Sequence, residues 1–379
     1  MKFFNRWIQS FRLTVCSGLL IAVALLGCES IEEPIRIGFV AGTSGRVADL
    51  GLSGRDAVQL IVEQINSSGG ITGRKIELHI KDDKQQPEVA RQAVNELINE
   101  GVVAIIGPMT SDMAVAVTPL LNEARVLNVS PTVTTQQLSG LDDYFFRVSS
   151  TTREYATRSA RYQIKSDNMR RIAAAYDLNN RSFTENWLEN FTKSFTADGG
   201  QIITATGFKT DDNKTLLETA RELLAPKPDG VLIIANSMDS ALLCQQIRKI
   251  APDMRITLAD WGATERLLEL GGKAVEGVTV VQTFDRENPA PRYQAFREAY
   301  IKRYDREPGF PGVYAYDATE VILTALRAQK RGKTLKETIL ALRKFEGLQG
   351  EFSFDDYGDV MRSNASISVV RDRKFVVVD

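Results

Sequence analysis

From Ile35 onward, short apolar runs alternate with longer stretches in which apolar residues recur every three or four positions. Ile35–Val40 predicts a buried strand and Leu52–Ile65 a helix. Ile76–Ile80 alternates with period two, as a strand does, and Pro87–Asn99 returns to the helical period. Val102–Gly107 is an apolar strand, followed by a helix over Ser111–Glu123 and a strand over Val126–Val129. Apolar strands of this length, each followed by an amphipathic helix, predict a parallel sheet covered on both faces.

The rhythm restarts after Phe145-Phe146-Arg147. Helices are expected near Arg153–Lys165, Asn186–Ala197, Leu216–Leu224 and Ala241–Lys249. Strands are expected at Ile172–Tyr176, Ile202–Phe208, Val231–Ala235, Ile256–Ala259 and Val278–Val281. From Pro291 the chain reads as mostly helical through Phe345. It closes in short strands around Phe352–Phe354, Ile367–Val370 and Phe375–Val378. Two doubly wound α/β units joined near Ser149–Thr152 fit this pattern better than one large sheet. Such sheets bind ligands at the carboxyl ends of their strands, and two facing units place those ends around a shared cleft.

Ahead of this body, Lys2, Arg6 and Arg12 precede an apolar stretch from Leu13 to Leu26, the layout of a secretory signal. The run closes in Leu25-Leu26-Gly27-Cys28, which resembles a bacterial lipobox. That resemblance implies a signal peptide over 1–27, lipid on Cys28 and a short tether over 28–34. An uncleaved membrane anchor is the alternative, but about 14 apolar residues fall short of the roughly 20 that a spanning helix needs. The chain is therefore expected to be exported and lipid-anchored to a bacterial membrane, with everything after Cys28 on the periplasmic or extracytoplasmic side.

Charge changes the picture little: 47 basic residues stand against 48 acidic ones, which gives no electrostatic reason to expect nucleic acid. Cys16 leaves with the signal and Cys28 carries lipid. Cys244 then remains alone in an apolar helical context, so no disulfide framework is expected despite export. The one histidine, His79, sits in an alternating strand. One histidine and one mature free cysteine make no His/Cys metal cluster and no Ser-His-Asp or Cys-His arrangement. Gly42-Thr43-Ser44-Gly45 follows a strand, but neither a phosphate-loop Lys-Ser/Thr nor a GxGxxG accompanies it. The expectation is a protein that is not an enzyme and uses no cofactor or metal.

Several stretches together resemble the branched-chain-amino-acid class of periplasmic solute-binding proteins, the receptor components of ABC importers. These are Ile37-Gly38-Phe39-Val40 with Thr43-Ser44-Gly45, the turn Ile65-Asn66-Ser67-Ser68-Gly69-Gly70-Ile71-Thr72-Gly73-Arg74, Asp82-Asp83, Ala104-Ile105-Ile106-Gly107-Pro108 and Tyr316-Asp317-Ala318. The resemblance implies two Rossmann-like lobes joined by three crossing strands, with a ligand cleft between them. An N-terminal lobe of 35–150 plus 285–350 and a C-terminal lobe of 151–284 plus 351–379 are expected. Hinges are expected at Ser149–Thr152, near Thr283–Asp285 and near Gly350–Phe352.

The resemblance also implies site residues. Ser111 matches the serine that holds the ligand carboxylate, and a helix start there would add unsatisfied N–H groups and partial positive charge. The alternative is that Ser111 only caps its own helix. Thr132 and Thr134, in Ser130-Pro131-Thr132-Val133-Thr134, match the loop that completes the amino-acid clamp; an ordinary strand-end turn is the alternative. In the second half the match departs from the family. A tyrosine position falls at Phe183 and another aromatic position at Asn236. The acidic position falls at Trp261, with Asp260 one residue before it, and in the first half Leu50 stands at a tyrosine position. Trp261 would stack on a flat ligand and Asp260 would supply charge; the alternatives are a core residue and a helix cap. The function expected is capture of an amino acid or similar small carboxylate by hinge closure and delivery to ABC permease and ATPase subunits. A ligand-sensing lipoprotein of the same fold, signalling to a separate membrane partner, is the alternative.

Overall fold

The computed structural model describes residues 33–209, 215–362 and 365–379. The signal segment and Cys28 lie outside the described residues. A first sheet has the order β2-β1-β3-β4-β5, formed by β1 (Ile35–Ala41), β2 (Ile76–Asp82), β3 (Ala104–Ile106), β4 (Leu127–Ser130) and β5 (Phe145–Arg147). Every pairing in it is parallel. Ile37 and Phe39 of β1 are fully buried on one face, and Val40 belongs to the cluster on the other, as the near-continuous apolar run requires.

The second sheet runs β15-β14-β10-β9-β8-β6-β7. Its parallel members are β6 (Arg171–Asp177), β7 (Gln201–Phe208), β8 (Gly230–Ile234), β9 (Arg255–Leu258) and β10 (Thr279–Gln282). β14 (Ser366–Arg371) joins β10 antiparallel, and β15 (Lys374–Val377) pairs antiparallel with β14. The helices 291–304, 309–328 and 335–342 follow β10 in the chain, and helix 309–328 packs along helix 48–67 of the first lobe.

Two sequence expectations change here. Phe345, read as the end of a helical region, lies in β11 (Lys344–Gly347). The segment 351–361, expected in the second lobe, belongs instead to a small sheet in which β12 (Gly350–Phe354) joins β11 and β13 (Val360–Met361). Phe354 meets Phe146 edge-on at 5.5 Å, and Asp359 pairs with the fully buried Arg147 of β5. Packing of these aromatic rings on the first lobe holds the segment there, so Gly350–Phe352 is hairpin rather than crossing. The chain re-enters the second sheet only at Ser366.

The crossing segments are tied together by buried polar contacts. Arg362 pairs with Asp317 of helix 309–328 at 2.9 Å and lies over the Phe352 ring. Ser150 Oγ donates to the Arg362 carbonyl at 2.7 Å, and the Tyr314 hydroxyl donates to the Thr283 carbonyl. One helix of the first lobe thus anchors two of the crossings directly and the third through Arg362.

Candidate ligand site

A pocket lies where the carboxyl ends of β3, β4, β6 and β9 converge. Leu50, Ser111, Thr132, Phe183, Asp260 and Trp261, all singled out in the sequence, line it together with Met109, Thr110, Asn180 and Phe310. Local chain geometry explains the first-lobe wall. Gly107 has φ 104°, and a Cβ there would sit 2.0 Å from the Val40 carbonyl oxygen, so only glycine lets β3 turn so close to β1. Gly107-Pro108-Met109-Thr110 then carries the chain from the strand end to the first turn of helix 111–124.

Ser111 is the first residue of that helix, and Thr110 occupies the capping position without a side-chain cap bond. The hydroxyl of Ser111 therefore does not cap its own helix. The residue is 2 % exposed and lines the pocket at the positive end of the helix. Thr132 directs its hydroxyl to the Met109 carbonyl at 2.5 Å, bracing the loop that carries Ser111.

The second-lobe wall is aromatic with one acid. Phe183 and Trp261 meet edge-to-face, centroids 5.5 Å apart. Asp260 is 6 % exposed and accepts the Trp187 indole N–H at 2.9 Å. Burial pushes its carboxyl up to about 6, against the Trp187 hydrogen bond, which favours the ionised form. Among the described residues that line the pocket, Asp260 is the one ionisable side chain. The arrangement has a positive pole at the helix mouth, a negative pole at Asp260, and apolar walls at Leu50, Phe183, Trp261 and Phe310. A small molecule carrying a carboxylate and a cationic group matches that polarity.

Two of the expected residues are not brought to this wall. Asn236 caps helix 237–250, its side-chain oxygen accepting from Asp239 N–H at 2.9 Å. Thr134 is buried with its hydroxyl unpartnered, and its carbonyl accepts from Thr152 N–H at the first crossing.

The lobes are in contact across the cleft. Asp112 accepts from the backbone N–H groups of Arg181 and Ser182 at 2.9 and 2.8 Å, capping the second-lobe helix 181–197. In return Asn180 Oδ1 accepts from Asp112 N–H at 3.0 Å. Asp49 accepts from Ser237 and Thr264 hydroxyls at 2.6 Å each, and Arg46 pairs with Asp239. The pocket encloses about 20 Å³, on the order of what one water needs, so entry of a solute requires the lobes to part. Sequence reasoning missed Asp49, Asp112 and Asn180. Each resembles an ordinary helix-end polar residue, and only the tertiary fold shows that its partner is on the other lobe.

Two α/β lobes that close on a small pocket at the ends of their strands define a binding protein for a small solute. The chain belongs to the periplasmic binding protein family, whose profile matches residues 34–374. Among its relatives is the Leu/Ile/Val-binding protein BraC3 of Rhizobium johnstonii, 25 % identical over 338 residues, covering 88 % of this chain and 90 % of the relative. The leucine-, isoleucine-, valine-, threonine- and alanine-binding protein of Pseudomonas aeruginosa is 23 % identical, over 91 % and 92 % of the two chains. The leucine-binding protein LivK of Thermotoga maritima superposes with TM-score 0.82 at 24 % identity, over 91 % of this chain and 98 % of that one. The likeness covers both lobes and bears out the two-lobed fold expected from the sequence.

Proposed function

We propose that this chain is the solute receptor of an ABC importer, held to the membrane by lipid on Cys28, and that it captures an amino acid or related small carboxylate by closure of its lobes. One observation carries the reading. Ser111 at the mouth of helix 111–124 and Asp260 on the opposite lobe line one pocket, and the lobes are bonded across it by Asp112, Asn180 and Asp49. The names of the relatives, receptors for Leu, Ile and Val, support the amino-acid class.

In the proposed cycle the open lobes admit the solute and its carboxylate meets the N–H groups and the Ser111 hydroxyl. Its cationic end faces Asp260, whose ionised carboxylate is disfavoured by burial and becomes favoured once it is paired. Closure brings Phe183 and Trp261 over the apolar part and completes the contacts between the lobes, so the liganded form is the one offered to permease and ATPase subunits. Mass spectrometry of the molecule released on denaturing purified protein tests the class directly. A small amino acid or carboxylate is expected; a nucleotide, sugar or metal chelate would refute it.

A further inference from the structure

A second pocket, of about 370 Å³, lies at the amino ends of β1, β3 and β4, the end of the first sheet opposite the ligand pocket. Ile35, Arg74, Arg125, Gln329 and Lys336 line it over an apolar floor that includes Val102 and Val126. Arg74 donates to the Glu33 carbonyl at 2.7 Å and so grips the chain where it enters β1. The connection between helices 309–328 and 335–342 passes beside this point. It brings Arg327, Lys330, Arg331, Lys333 and Lys336 into one ten-residue stretch without an acidic residue.

Lys333 pairs with Glu337 and Lys336 with Asp142. Arg125, Arg327, Lys330 and Arg331 are exposed, and no acidic side chain among the described residues is paired with them. Glu33, whose carbonyl Arg74 holds, and Glu123, two residues before Arg125, are also exposed. The chain between Cys28 and Glu33 can span at most ~3.6 Å per residue, roughly 20 Å in all. Lipid on Cys28 therefore keeps this end of the first lobe within reach of the headgroups. Basic groups so close to a bilayer are attracted to anionic lipid, and a lipid chain plus a basic patch is a stronger anchor than the chain alone.

We propose that Arg125, Arg327, Lys330 and Arg331 form a docking face for the anionic phospholipid headgroups of the membrane that holds Cys28. The inference rests on the lipid-anchor reading. Docking there seats the first lobe on the bilayer with the carboxyl ends of β1, β3 and β4 pointing away from it, a resting state that the receptor leaves before its closed lobes meet the permease.

The test uses the full lipoprotein carrying Ala328→Cys, labelled with a donor dye; Cys244 is buried and stays unlabelled. The protein is placed on vesicles of phosphatidylcholine alone or mixed with phosphatidylglycerol, each with an acceptor dye on its headgroups. Energy transfer should be higher on the mixed vesicles. The increment should be lost in high salt and in the double variant Lys330→Glu, Arg331→Glu, whose solute affinity should match the parent. Equal transfer on both vesicles, or an increment that survives high salt and charge reversal, overturns the proposal. So does an increment that needs permease in the vesicle, which would make this a protein-docking face. Flotation with neutral vesicles reports the anchor separately. A chain that fails to float there lacks the lipid, and the face is then judged by salt-sensitive flotation with mixed vesicles, whose absence also overturns it.

Discussion

Replacing Asp112 with alanine should weaken solute binding without touching the solute. Its carboxylate accepts two backbone N–H groups of helix 181–197, at 2.9 and 2.8 Å, from the other lobe. In an ordinary cap the donor and acceptor stay together, and loss of the side chain costs about 0.5–2 kcal/mol of helix stability. Here the contact exists only when the lobes meet, so the same 0.5–2 kcal/mol is subtracted from the closed form alone. If solute binds tightly only to that form, affinity should fall roughly 2- to 30-fold. Asp112→Asn, which keeps one acceptor oxygen without the charge, should fall between parent and alanine. Calorimetry with the recovered ligand measures the loss, and small-angle scattering of the unliganded protein should show a larger radius of gyration for Asp112→Ala. Parent-like affinity together with parent-like scattering would mean that these interlobe bonds do not hold the closed form.

Three further outcomes follow from the site and the anchor. The folded chain retains a proton on Asp260 between about pH 4 and 6 that the unfolded chain has lost, so this group's contribution to stability falls as pH rises through that window. Without ligand, Asp260→Asn should therefore melt higher than the parent above pH 7 and with no advantage near pH 3.5; a gain independent of pH would contradict the burial argument. A ligand whose ammonium faces Asp260 needs the ionised carboxylate, so its affinity for the parent should fall as pH drops below about 6 and stay flat above, as titration calorimetry across pH would show. Cys28→Ser should remove lipid and leave precursor or shed protein, and normal membrane attachment of that variant in fractionated cells would sink the lipoprotein reading.

Much of the architecture was legible because burial on both faces of a parallel strand leaves a continuous apolar signature. Val231–Ala235 was read within a residue of β8, and Pro87–Asn99 is the helix itself. The misplacement of 351–361 has a physical cause. The alternation in β12 fits any half-buried strand, and what assigns it to the first lobe is the packing of Phe352 and Phe354 against Phe345 and Phe146, which leaves no local trace. Leu50, Phe183 and Trp261, picked from family positions where the residue type differs, line the pocket. Asn236 does not line the pocket; as asparagine at a helix start, it serves its own backbone. Met109 and Phe310 carry no polar signature and could not be told from core residues in advance.

The central claim is that a carboxylate-bearing solute is held at the mouth of helix 111–124 between the two lobes. Titration calorimetry of the recovered ligand against Ser111→Ala tests it most directly. Loss of a hydrogen bond to a charged group costs about 1.5–3 kcal/mol, so affinity should drop roughly 10- to 150-fold, and it should drop alike for every carboxylate the parent binds. Binding equal to the parent in a folded Ser111→Ala protein would place the carboxylate elsewhere and contradict the account.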